Sequence, residues 1–217
     1  MIDTRRVFAA LSLPGLALLG FVSLLPIGEA TAQDTIPALV AKPVSLSDMA
    51  IGSIKAPVII TEYASMSFPH CAAFGENVFP MLKSKYINTG MVRFVFREFP
   101  LDIKAAAASM LARCIGSADA EKYFGVVEAL FKQQAQLMDR TTDTLKAIGK
   151  LNGMSEQEVE TCVKDQALLD KLAADQRYAL ATLKVDSTPT FFVNGERLTG
   201  AMSFEELEAR IKPLLKK

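Results

Sequence analysis

The chain has 217 residues, 50% of them hydrophobic and 22% charged, which is the composition of one globular domain or of one domain carrying a large insertion. Its 24 basic and 24 acidic residues cancel, so the basic stripe that a nucleic-acid partner requires is missing and no such partner is expected. Local acidic clusters such as Glu205, Glu206 and Glu208 read as solvated helix faces.

In chain order, Arg5 and Arg6 precede an apolar run from Val7 to Leu25 broken only by Ser, Pro and Gly. Ala30-Thr31-Ala32 then fits the small-x-small cleavage rule, so residues 1–32 are expected to be an export signal cut after Ala32. The competing reading is an uncleaved membrane anchor. Pro14, Gly15 and the cleavage site weigh against it, and no stable membrane insertion is expected after cleavage. "TRRVFAA" also resembles a twin-arginine leader, and ordinary secretion and twin-arginine export both stay open. Export implies a periplasmic or extracellular setting in which disulfides persist. The three cysteines leave at least one thiol free or paired with another molecule.

Residues 33–50 are polar and punctuated by proline, and are expected to form an arm leading to a short strand near Met49–Ile51. "APVIITEY", 56–63, is β-branched and almost continuously apolar, the pattern of a buried central strand. Pro69 suits the first turn of a helix, where its missing N–H costs nothing, and Pro80 should kink that helix. "MVRFVFREF", 91–99, alternates and predicts a second strand, parallel to the first because a helix connects them. From Asp102 to Val185 the period becomes helical throughout. "TLKAIGKLNG" ends on a plausible glycine cap at Gly153, and Ser155 with Glu158 has capping-box spacing. "TPTFFVNGERLTG" then predicts a hairpin turning at Asn194-Gly195. A last helix opens at Ser203 with Glu206.

The stretch "TEYASMSFPHCAAFGENVFP", 61–80, carries the chemistry. It runs from strand into helix, where unsatisfied N–H groups and the helix dipole favour a thiolate. A strand-to-helix junction of this kind is where a C-x-x-C pair is expected, and here the four residues are Phe68-Pro69-His70-Cys71.

The element order, "EYASM", "FPHC" and "STPTFFVNG" together resemble the DsbA-like thiol:disulfide interchange family across about residues 45–216. The resemblance implies an α/β thioredoxin-like fold in two parts, 33–101 and 186–217, around a helical insertion at 102–185. It puts Cys71 at the resolving cysteine and Phe68 in place of the attacking one. By the same resemblance His70 helps to lower the thiol pKa, and Glu62 is a buried acid linked to proton traffic. Thr188 offers its backbone to an extended substrate peptide, with Phe68 and Pro69 nearby, and Pro189 is the cis-proline beside the thiol. Cys114 and Cys162 match a second, non-catalytic disulfide of the insertion. Implied partners are exported polypeptides and a thiol partner, glutathione or a redox protein. No cofactor is expected, and no metal, because one histidine and scattered cysteines supply too few ligands.

With one thiol, closure of a disulfide within FPHC is impossible, since exchange needs a second thiol to release the mixed disulfide. Several readings therefore stand side by side. Cys71 is either a monothiol resolved from outside, by an external thiol or by Cys114 or Cys162, or an inert apolar residue. The chain is either an exchange enzyme or a peptide-binding module or holdase chaperone that lost the chemistry, using an apolar cluster of Met66, Phe68, Pro69 and Phe74. A glutathione-transferase-like site would use Ser67. Glu62 is then either a working acid or a remnant, and His70 either part of the site or an exposed residue.

Overall fold

The structure is a computed structural model describing residues 35–42 and 45–216; the export-signal reading of residues 1–32 lies outside the described residues. Its elements are α1 (Ile36–Ala41), β1 (Met49–Ile51), β2 (Val58–Ala64), α2 (Pro69–Asn77), α3 (Phe79–Leu82) with a π-helical turn at Lys83–Ile87, and β3 (Val92–Glu98). Six helices follow: α4 (Ile103–Gly116), α5 (Ala120–Lys132), α6 (Gln134–Asp139), α7 (Thr141–Leu151), α8 (Glu156–Val163) and α9 (Gln166–Ala181). The hairpin β4 (Thr190–Val193) and β5 (Glu196–Thr199) and the helix α10 (Phe204–Leu214) complete the chain. Among the described residues, no helix is long and apolar enough to cross a membrane.

The five strands form one sheet in the order β1-β3-β2-β4-β5. β2 and β3 are parallel, with Ile60 opposite Phe94 and Glu62 opposite Phe96; the other pairings are antiparallel. Because side chains alternate along a strand, Val58, Ile60, Glu62 and Ala64 share one face. That face carries Phe94, Phe96 and Phe191 and is packed by Phe74, Phe124 and Phe131 from α2 and α5 in the main core. Tyr63 and Phe192 point the other way, into a smaller core with Val40, Ala179 and Leu183. Both faces are covered, which is why β2 reads as a near-continuous apolar run.

Three local expectations need correction. The arm at 33–50 contains α1, whose Val40 is buried in the second core. Six residues are too few to show a helical period, and packing rather than propensity holds so short a helix. Glu208 is also more than a solvated face: its carboxylate takes Lys85, Lys212 at 2.7 Å and the Tyr86 hydroxyl at 2.8 Å. The helix predicted from Pro69 is interrupted at Val78, two residues before Pro80, and helical geometry then continues to Ile87.

The capping signals correspond to real ends. Ser155 and Ser203 each form a capping box with Glu158 and Glu206. At the end of α7, Gly153 has φ +86°, with Gly153 N–H bonded to Lys150 O and Met154 N–H to Gly149 O, the paired pattern of a Schellman cap. In the hairpin, Asn194 and Gly195 both have positive φ, 45° and 89°, which is what a type I′ turn requires.

The insertion is held by close helix crossings. A Cβ on Gly116 would meet Tyr123 Cβ at 2.5 Å and Tyr123 Cα at 2.9 Å. Gly116→Ala should therefore separate α4 from α5 and lower the unfolding free energy by about 1–3 kcal/mol, read from urea denaturation. An unchanged midpoint would show that this crossing has slack. Cys114 on α4 and Cys162 on α8 are joined in a disulfide, Cα to Cα 6.3 Å.

Candidate active site

The site forms where β2 ends and α2 begins, because the register that buries Glu62 in mid-sheet carries the chain straight into the loop Ser65–Phe68. Phe68 is the N-cap of α2 with extended backbone (φ −94°, ψ 123°) and makes no side-chain cap, while Pro69 takes the first turn. The amides of Cys71 and Ala72 donate to Phe68 O at 3.0 and 3.3 Å. The loop is fixed from two sides. Leu101 N–H donates to Ser65 Oγ at 3.3 Å, and Ser65 Oγ lies 3.0 Å from Ser67 Oγ. Gln134 of α6 donates through Nε2 to both Met66 O, 2.9 Å, and Phe68 O, 3.2 Å.

Cys71 is fully buried and is the free cysteine. Burial pushes its thiol up to about 12; the Glu62 carboxylate adds to the rise, and the Ser65 amide and the Thr188 hydroxyl pull the other way. The advantage of a helix N-terminus is thus outweighed here by desolvation. Glu62 is buried as well, and its carboxyl is held well above the usual range by burial. Its Oε1 has no hydrogen-bond partner. A cavity of about 20 Å³ between α2 and α5 reaches that carboxyl, walled by phenylalanines 74, 79, 94, 96, 124 and 131 with Glu128 at its edge. That volume admits about one water molecule.

Thr188 and Pro189 approach the sulfur from the loop before β4, with a cis peptide bond between them. Pro189 O accepts from Gly200 N–H at 3.0 Å. The Thr188 hydroxyl is buried without a partner of good hydrogen-bond geometry, yet it stands close enough to Cys71 to favour its thiolate.

The structure therefore gathers Cys71, Glu62, Thr188 and Pro189 into one centre. His70 and Pro69 are exposed on the outer side of α2, and the His70 ring packs edge-on against Phe68 at 5.3 Å between centroids. Cys114 and Cys162 lie in the insertion, bonded to one another rather than to Cys71. Met66 and Phe74 are core residues, 0% and 3% exposed, so the apolar cluster expected at the surface reduces to half-buried Phe68 and exposed Pro69. Gln134 was missed: it lies beyond a helix whose apolar period ends before it, and nothing in the sequence links it to a loop 66 residues earlier. Among the described residues no cluster of His, Cys, Asp or Glu could hold a metal ion.

A family model described as Thioredoxin matches residues 45–213, the sheet together with its insertion. The chain belongs to the thioredoxin family, on its DsbA-like branch. A protein of Rickettsia felis carried under the name protein-disulfide oxidoreductase is 31% identical over 194 residues, 89% of this chain and 69% of its own. Another from Rickettsia bellii is 34% identical over 151 residues, 69% of this chain and 58% of its own. The chain thus spans 58% to 69% of the length of these two relatives. The crystal structure of Wolbachia pipientis alpha-DsbA1 superposes with a TM-score of 0.73 at 30% identity, covering 82% of this chain and 94% of that one. The α/β fold with its helical insertion is thereby that of the DsbA-like proteins.

Proposed function

We propose that this DsbA-like chain carries out thiol–disulfide exchange on exported polypeptides in the periplasm, with Cys71 as its working thiol. Support comes from the grouping at one buried point of the thiol, the Glu62 carboxyl, the Ser65 amide and Thr188 beside cis-Pro189. A Cys71 thiolate attacks a substrate disulfide, giving a Cys71–substrate mixed disulfide and one substrate thiolate. An external thiolate, from glutathione or a redox protein, then attacks the mixed disulfide and leaves Cys71 reduced or glutathionylated, according to which sulfur it strikes. Glu62 takes the thiol proton in those molecules whose buried carboxyl has first given up its own. Thr188, Phe68 and Pro69 form the surface against which an extended peptide lies, and a leader ending at Ala32 delivers the protein.

The step that limits this chemistry is access. Phe68 caps α2 and packs against the core that contains Cys71, so its displacement by a bound peptide is what uncovers the sulfur. Phe68→Ala is expected to raise the rate of native-state alkylation of Cys71 at pH 8 by at least tenfold, read by mass spectrometry. If wild type and variant both label only as fast as they globally unfold, the sulfur is part of the core and the groove binds peptides without redox turnover.

A further inference from the structure

The disulfide of the insertion is placed as an anchor between α4 and α8, but its two sulfurs have unequal surroundings. Cys162 is 6% exposed, whereas Cys114 is half-buried and forms part of the wall of an open groove of 270 Å³ between α4 and the start of α9. Lys171 and Arg113 border that groove. The Arg113 guanidinium is committed to Glu98 and Ser47, while Lys171 is exposed and in no ion pair among the described residues. Asp165 also faces the groove, with its carboxylate engaged by the Leu168 amide at 3.1 Å as the cap of α9.

The second asymmetry lies behind the bond. Cys162 Sγ stands 3.3 Å from Met110 O. In the disulfide that sulfur has no proton to donate. Once reduced, its S–H can donate to this buried carbonyl without rearrangement, and a buried thiol with a partner is stabilised over one without. Cys114 thus presents the attackable sulfur, and Cys162 is the leaving group with a prepared resting place.

We propose that Cys114–Cys162 is an exchangeable disulfide, attacked at Cys114 Sγ by a small anionic thiol of the glutathione class that enters this groove. The attacking thiolate forms a bond to Cys114 Sγ as the Cys114–Cys162 bond breaks, and the Cys162 thiolate takes a proton from solvent. A second thiolate attacks the added sulfur, releasing the oxidised small thiol. The balance is two small thiols oxidised to one small-molecule disulfide and one protein disulfide reduced to two thiols. This gives a two-electron couple to a chain whose helix entrance holds one thiol. Lys171 raises the local concentration of an anionic thiol, and the unequal burial of the two cysteines is what makes exchange selective.

The test uses the full chain as a Cys71→Ser variant, so that its result is independent of chemistry at the helix entrance. The native protein is incubated with reduced glutathione, quenched in acid and mapped by mass spectrometry, with Lys171→Glu as a second protein. The expected result is a glutathione adduct on Cys114 at least tenfold more abundant than on Cys162, forming without denaturant and several-fold more slowly in Lys171→Glu. Adducts spread equally over both sulfurs, or a disulfide that reacts only at denaturant concentrations that unfold the chain, would overturn the proposal. An unchanged rate in Lys171→Glu would remove the groove as the route of entry.

Discussion

Arg113→Ala is expected to lower the unfolding free energy by about 3–5 kcal/mol, because it strands a buried carboxylate. Arg113 of α4 meets Glu98 at the end of β3 through two parallel hydrogen bonds, 2.5 Å from Nε and 2.6 Å from Nη2. Both side chains are nearly buried, at 7% and 3% exposure. Its remaining nitrogen donates to Ser47 O at 2.6 Å, and the fully buried Tyr123 hydroxyl donates to Glu98 at 2.6 Å. Sheet, insertion and the segment before β1 therefore share one charged knot. A pair of this kind adds little over apolar packing, yet removing one member leaves the other desolvated and unpaired. Urea denaturation of Arg113→Ala, Glu98→Gln and the double variant measures this directly. The double variant should recover part of the loss; costs that simply add would mean that the two groups do not depend on one another.

Glu62→Gln should change how stability depends on pH, and should change the Cys71 thiol with it. Burial raises the folded pKa of Glu62. A raised carboxyl contributes fully below its ordinary pKa, and that contribution is lost as pH rises through the folded value. The amide cannot ionise, so the variant escapes the loss. Relative to wild type it should gain about 1.4 kcal/mol for each pH unit across that window. Cys71 obeys the same sign at higher pH. Its thiol rises from 9.0 to about 12, so stability should fall between pH 9 and 12, and Cys71→Ala should flatten that limb. Removing the Glu62 charge also removes one of the two causes that raise the thiol, so Cys71 in Glu62→Gln should alkylate with a lower apparent pKa. Parallel stability–pH curves for wild type and Glu62→Gln would show that the carboxyl is not held protonated by its surroundings.

Most of the architecture is legible in order. The β-branched run at 56–63, the alternation at 91–99, the helical period from 102 to 185 and the Asn194-Gly195 turn are local signals, each written in consecutive residues. The capping boxes at Ser155 and Ser203 are local too, since donor and acceptor lie three residues apart. The motif FPHC and the Thr188-Pro189 pair could be picked out for the same reason, although 117 residues separate Cys71 and Thr188 and only the family resemblance placed them together.

What the sequence left undecided depends on distant neighbours. Whether Cys71 behaves as a thiolate is set by the burial of its sulfur and by Glu62, nine positions earlier, which arrives beneath it only through the sheet register. Gln134 holds the loop before the helix from within the insertion, and Val40 makes a helix of α1 because Tyr63 and Phe192 are there to cover it. The chain by itself determined its strands, its turns, its helices other than α1 and the candidate residues for thiol chemistry. Tertiary structure decided which of those residues are dry and which cysteine of the disulfide is the more buried, because desolvation is a property of everything packed around a group and is not written in any one stretch of residues.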